Sequence, residues 1–119
     1  MLLNLNLPRI NDYMTTAIVE AVHAREGDEL PMGAKLIDLS VDLSLAAPHD
    51  CPPISHYRIV LRERAWVRRL CVRCGDEPQV DTPLVLLTTE RDEPVDAPPA
   101  RRARVAIAAI LHQPNWSAG

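Results

Sequence analysis

Two stretches of this chain are copies of one pattern. Residues 17–42 read AIVEAVHAREGDELPMGAKLIDLSVD and residues 65–90 read AWVRRLCVRCGDEPQVDTPLVLLTTE, aligned without a gap by a shift of 48 residues that lays Ala17 on Ala65. Eight of the 26 aligned pairs are identical, among them Val19/Val67, Gly27/Gly75, Asp28/Asp76, Leu36/Leu84 and Leu39/Leu87. Average residue usage gives about two, so the match is an internal duplication rather than shared composition. A repeated unit of strand, tight turn and strand cannot bury its apolar face alone and must pack on its twin.

The apolar pattern along the chain has period two, which predicts short half-buried strands. Residues 2–7 alternate, with Leu3, Leu5 and Leu7 on one face. In the first copy Ile18, Val22 and Ala24 lie on a strand that ends at Glu26-Gly27-Asp28. Gly27 can take a positive φ without a Cβ clash, and the Asp28 side chain can bond the local backbone. Pro31-Met32-Gly33 marks a second turn, and residues 36–42 form a strand with Ile37, Leu39 and Val41 inward, or the opposite set if the register slips by one. Residues 44–55, with three prolines, read as a loop, and residues 56–63 alternate again with Tyr57, Ile59 and Leu61 on one face. The second copy supplies a strand at 65–73, the turn 74–77 and a strand at 84–90. Residues 92–99 read as a linker. The alanine-rich run 101–112 predicts a helix of about three turns docking Ile107, Ile110 and Leu111, with a terminal strand as the competing reading.

Bulk properties narrow the function classes. A chain of 119 residues is one domain-sized core. Its formal charge of −3 provides no basic footprint for nucleic acid. No apolar run approaches a membrane span, and the first ten residues lack the pattern of a signal peptide. The three cysteines, Cys51, Cys71 and Cys74, make no disulfide framework, which favours a reduced, cytoplasmic setting. Phenylalanine is absent, so the core must be built of Val, Ile, Leu and Ala.

The run IVEAVHAREGDELPMGAKLIDLSVD is similar to the lipoyl and biotinyl carrier domains, as found in 2-oxo acid dehydrogenases and biotin-dependent enzymes. Ile18-Val19, Glu26-Gly27-Asp28, Gly33 and the strand 35–42 carry the resemblance, and Gly75-Asp76 with Pro83-Leu84 match the other half of the family pattern. The resemblance covers about residues 4–93. It implies an all-β fold: a flattened β-barrel, or barrel-sandwich hybrid, of two four-stranded sheets with pseudo-twofold symmetry. Residues 1–93 would form that domain and 94–119 a linker and C-terminal helical extension, packed on its own barrel or on a second copy as a homodimer.

In that family one lysine at the tip of the hairpin joining the halves is acylated by lipoate or biotin. Position by position, Asp42 falls on the family's aspartate and Leu43 on the lysine. Leucine has no amine and cannot form the amide, and Lys35, the only lysine, stands near the start of the strand leading to the tip. Residues 44–55 also enlarge the tip by about ten residues over the family's tight turn. The resemblance therefore implies an unmodified, non-catalytic domain without a cofactor that binds protein partners, as part of an acyltransferase- or carboxylase-like complex. Lipoate or biotin enters only if the register at Leu43 is wrong, which would make the chain a working carrier. The tip residues Asp42, Leu43, Leu45 and Ile54 and the arginines Arg58, Arg62 and Arg64 are the candidate contacts.

Other groups with chemistry are weaker. Cys71 and Cys74 form a C-x-x-C at a strand end, where residues three apart point to opposite faces. The tip holds His49, Asp50, Cys51 and His56, residue types that zinc accepts, at a spacing unlike a standard finger. A metal- or redox-responsive role for these is a further reading. Arg58, Arg62 and Arg64 share one face in period two, either as a solvated surface or as a docking face for an acidic partner. The repeated Gly-Asp-Glu is turn chemistry.

Overall fold

The computed structural model describes residues 1–10, 12, 14–42 and 54–110. Within them every regular element is a strand: β1 (Leu2–Asn6), β2 (Ile18–Val22), β3 (Glu29–Leu30), β4 (Lys35–Asp42), β5 (Ile54–Leu61), β6 (Ala65–Leu70), β7 (Pro83–Thr88), β8 (Arg101–Arg102) and β9 (Val105–Ile110). They form a five-stranded sheet, in the order β3-β6-β7-β1-β8, and a four-stranded sheet, β2-β4-β5-β9.

The duplication is visible bond by bond. The Gly27 N–H donates to the Val67 carbonyl at 2.7 Å, and the Gly75 N–H donates to the Val19 carbonyl at 2.7 Å. The Val67 N–H donates to the Asp28 carbonyl at 2.9 Å, and the Val19 N–H to the Asp76 carbonyl at 2.8 Å. Each is the other moved by the repeat shift. The β2·β4 ladder carries a bulge between Val19 and Ala21, and the β6·β7 ladder carries one between Val67 and Arg69, the corresponding positions. Each copy thus sends the backbone after its glycine turn across to pair with the first strand of the other copy.

The repeated Gly-Asp has a local cause. Gly27 and Gly75 have φ of 93° and 96°, a region closed to most L-residues. The aspartate that follows folds its carboxylate back: Asp28 Oδ2 accepts from the Arg25 N–H at 2.9 Å, and Asp76 Oδ2 from the Arg73 N–H at 2.8 Å. The second turn is repeated with a substitution. Gly33 (φ 92°) is matched by Asp81 (φ 71°), the sole non-glycine residue of positive φ among those described. Aspartate tolerates this conformation because its short polar side chain can bond locally.

Between the sheets lies a core of aliphatic side chains. Leu3, Leu7, Leu36, Ile37, Leu39, Ile59, Leu61, Leu84 and Leu87 are fully buried. The predicted inward set Ile37, Leu39 and Val41 is buried, and so is Leu36, beside a bulge between Lys35 and Ile37 in the β4·β5 ladder.

Three expectations are corrected. Residues 101–110 form no helix: β8 pairs in parallel with β1, and β9 pairs antiparallel with β5. Alanine favours a helix by a few tenths of a kcal/mol per residue. The open edge of β5 offers six residues of backbone pairing, and Val105, Ile107 and Ile110 suit a strand. With β8 and β9 counted, the sheets have five and four strands rather than four and four, and the described ladders stay in two sheets without closing a barrel. Strand β5 also begins at Ile54, so the last two residues of the expected 44–55 loop belong to it.

An alanine Cβ would meet nothing within 4 Å at Gly27 or Gly75, which leaves the positive φ as the cost. Gly27→Ala and Gly75→Ala should each destabilise the fold by about 1–2 kcal/mol, by similar amounts in the two copies, as measured by urea or thermal unfolding.

Candidate functional site

The inner faces of the two sheets make the core, so any site must lie on an outer face, an edge or the end where β4 and β5 run out. Among the predicted contacts, Asp42 and Ile54 form the last pair of the β4·β5 ladder, and Ile54 is 52% exposed. Leu43, Leu45, His49, Asp50 and Cys51 lie outside the described residues. His56 sits within β5 opposite Ser40. Of the three arginines only Arg58 belongs to a strand. Arg62 and Arg64 stand exposed in the turn between β5 and β6, where Arg64 pairs with Glu29 and lies 5.1 Å from the centre of the Trp66 ring. Cys71 and Cys74 are free thiols, and Cys74 Sγ donates to the Glu20 carbonyl at 3.1 Å. Among the described residues no three His, Cys, Asp or Glu side chains gather as a ligand set.

A polar network occupies the outer face of the four-stranded sheet. Asp38 on β4 faces Arg58 on β5 across the ladder. Arg58 donates through Nε to Oδ1 at 2.8 Å and through Nη2 to Oδ2 at 3.1 Å, a bidentate pair. His23, just past the end of β2, places Nε2 3.0 Å from Asp38 Oδ2. One step along the same face, Ser40 Oγ donates to Glu20 Oε1 at 2.7 Å. The Arg58 guanidinium holds the Asp38 carboxyl below the usual carboxylate range; partial burial opposes this, and His23 adds to it.

The equivalent place on the other sheet is built from different residues. The repeat shift carries Asp38 to Leu86 and His23 to Cys71. Leu86 pairs with Asn4 on β1 as Asp38 pairs with Arg58 on β5. Where one half holds an ion-paired cluster, the other opens a cleft of about 350 Å³ lined by Asn4, Asn6, Arg69, Cys71, Leu86 and Pro99. Burial pushes the Cys71 thiol up, Arg69 opposes that and Glu26 adds to it, so it is a poor nucleophile at neutral pH.

A second ionic contact ties the last strands to the domain. Glu63 accepts from Arg101 Nη1 at 2.8 Å, from Arg101 Nη2 at 2.6 Å and from the Arg104 N–H at 2.8 Å. These bonds, Arg101 foremost, hold the Glu63 carboxyl below its ordinary range. They fix the Arg101–Arg104 corner from which β9 sets out along β5.

No family model matches the chain, and no curated protein or solved structure does. The outer-face network was not anticipated from the residues. Its signal was present in the outward positions of β4 and β5, where Asp38, Ser40, His56 and Arg58 interrupt apolar neighbours, but their pairing depends on a register that the intervening segment conceals. Of the described residues, no helix is long and apolar enough to cross a membrane.

A depressed carboxylate contributes stability above its unfolded value, near pH 4, and loses it as pH falls through the lower folded value. Asp38→Asn should therefore melt a few degrees below the parent at pH 7, and the gap should close as both are taken below pH 4, as followed by circular dichroism.

Proposed function

We propose that this chain is an unmodified lipoyl/biotinyl-like domain of the barrel-sandwich type, which acts without catalysis as a protein-binding or assembly module. The observation that carries the reading is the bond-by-bond duplication of a glycine-turn frame, combined with Leu43 where the reactive lysine of such carriers would stand. In this reading each half lends its post-turn backbone to the other half's sheet, as the paired bonds at Gly27 and Gly75 do. The ladder of β4 and β5 carries the chain out to Asp42 and Ile54, and the enlarged tip beyond them is the recognition element.

Two physical points favour binding over chemistry. Leucine at the tip cannot carry an acyl or carboxyl group, but it adds apolar surface that a partner can bury at about 25 cal/mol per Å². On the outer face of the four-stranded sheet Asp38 is held by Arg58 and His23, and at the cleft on the other face burial pushes the Cys71 thiol up, away from reactivity. The partner in this reading is a protein of an acyltransferase- or carboxylase-like assembly, and the compartment is the cytoplasm. His49, Asp50 and Cys51 of the tip, with His56 on β5 next to it, then act as contact residues rather than as metal ligands.

Intact mass of protein isolated from its native host should equal the sequence mass. A discrete increase matching lipoate or biotin would make the chain a working carrier and end this reading. Affinity capture from the same source should recover protein partners that Leu43→Asp loses at least about tenfold; partners retained unchanged by Leu43→Asp and by deletion of residues 44–53 would refute the tip as the contact.

A further inference from the structure

Each sheet has two edges, and three of the four are blunted. The five-stranded sheet ends on one side in the two-residue β3 and on the other in the two-residue β8, Arg101-Arg102. Short length and charge are the usual protections of an edge against pairing with another chain. The β2 edge of the four-stranded sheet is covered by the backbone of residues 75–79, through the bonds from Gly75 to Val19, from Val19 to Asp76 and from Ala17 to Pro78 and the bridge between Thr16 and Gln79. The fourth edge is β9, Val-Ala-Ile-Ala-Ala-Ile, six residues with no charge, proline or glycine. Among the described residues no strand lies outside it, and Ile107 is 37% exposed.

We infer that β9 pairs antiparallel with β9 of a second copy, about a twofold axis at Ala108, joining the two four-stranded sheets into one. A twofold axis perpendicular to a sheet keeps like faces together, so the paired residues must have the same parity and one residue must meet itself. With Ala108 at the centre, Ile107 lies opposite Ala109 and Ala106 opposite Ile110. Ile107 and Ile110 then each meet an alanine, one on each face, and an alanine sits at the axis. No like charges oppose each other, as they would if β8 tried the same pairing. The strand is thus complementary to itself. A partner chain of other sequence would need no such match, and this favours a second copy as the occupant. The pairing satisfies the outward backbone groups of β9 and covers Ile107.

This dimer is independent of the tip reading, since β9 lies on the far side of β5 from β4. Light scattering or native mass spectrometry of the full chain at micromolar concentrations should show a dimer. Ala108→Glu and Ala108→Arg, each placing like charges at the axis, should weaken it at least about tenfold. Mixing the two variants should restore a heterodimer, whereas Ile18→Glu on the opposite edge strand should leave the dimer intact. In the unmodified protein, hydrogen exchange of the amides of β9 should slow as concentration rises. A wild-type monomer, as would result if residues 111–119 of the same chain filled the edge, overturns the proposal. So does a dimer that both Ala108 variants leave unchanged, or exchange at β9 that ignores concentration.

Discussion

The structure depends on the reciprocal crossing at the two glycine turns. Gly27 and Asp28 bond to Val67, and Gly75 and Asp76 bond to Val19, so the first strand of each copy is flanked by backbone from the other. Neither copy can complete its own sheet. The β3 pairing partner, β6, lies in the second copy, and the partner of residues 75–79 lies in the first. Such contacts join residues 35 or more apart in the chain, from Leu30 with Ala65 upward, so their closure entropy must be met before they stabilise anything. Folding should accordingly be slow and all-or-none, with the turns as the places where local geometry can form early. The Asp28 and Asp76 carboxylates are suited to that task because their bonds to Arg25 and Arg73 close within three residues.

The duplication constrains the inside of the molecule and leaves the outside free. Leu36 and Leu84, Leu39 and Leu87, Val19 and Val67, and Ala17 and Ala65 are identical pairs, and all are buried. A core built of aliphatic side chains without phenylalanine has few ways to absorb a change of volume, so substitutions there leave cavities. On the outer faces the same shift relates His23 to Cys71 and Asp38 to Leu86, and the ladder relates Arg58 to Asn4. One face has become a self-satisfied ionic cluster and the other a shallow cleft. Because outward side chains do not have to interlock with a twin, the two halves could diverge there without disturbing the frame.

Much of this frame was legible in the residues. The repeat, the period-two alternation and the Gly-Asp turns led to the strands and to the buried set Ile37, Leu39 and Val41. The chain's last described strands were misread because the argument for a helix was local and the argument for β9 is not. Alanine content is a property of residues 101–110 alone, whereas the free edge of β5 exists only after β4 and β5 have paired. Parallel addition of β8 to β1 escaped notice for the same reason, since residues 92–100 separate it from any periodic neighbour. At the site, Arg58 read as part of a solvated surface or a docking face, and nothing in the residues singled out Asp38. Their bidentate geometry follows from the β4·β5 register, which runs unbroken from Asp42 and Ile54 to Ile37 and Ile59 but which the segment joining the two strands conceals in the sequence. The role of Glu63 as the anchor of Arg101 and Arg104 likewise emerges only when β9 is in place.

The tip and strand β9, both outside the repeat, therefore differ in how they relate to the frame. The β4·β5 ladder that leads to the tip starts from a strand of the repeat. Strand β9 has no counterpart in the repeat, and Glu63 and the β5 edge hold it from outside. A bare β5 edge would present half-buried Tyr57 and Val60 beside a row of unpaired backbone groups. Among the described residues, adding β9 moves that exposed edge outward by one strand without abolishing it. The charged corner at Arg101–Arg104 blunts one end of the new edge, while the Val105–Ile110 stretch beyond it carries no such protection. An element that only relocates an open edge, and replaces the residues there with a strand able to match itself, is better explained as a joint between copies than as a cover.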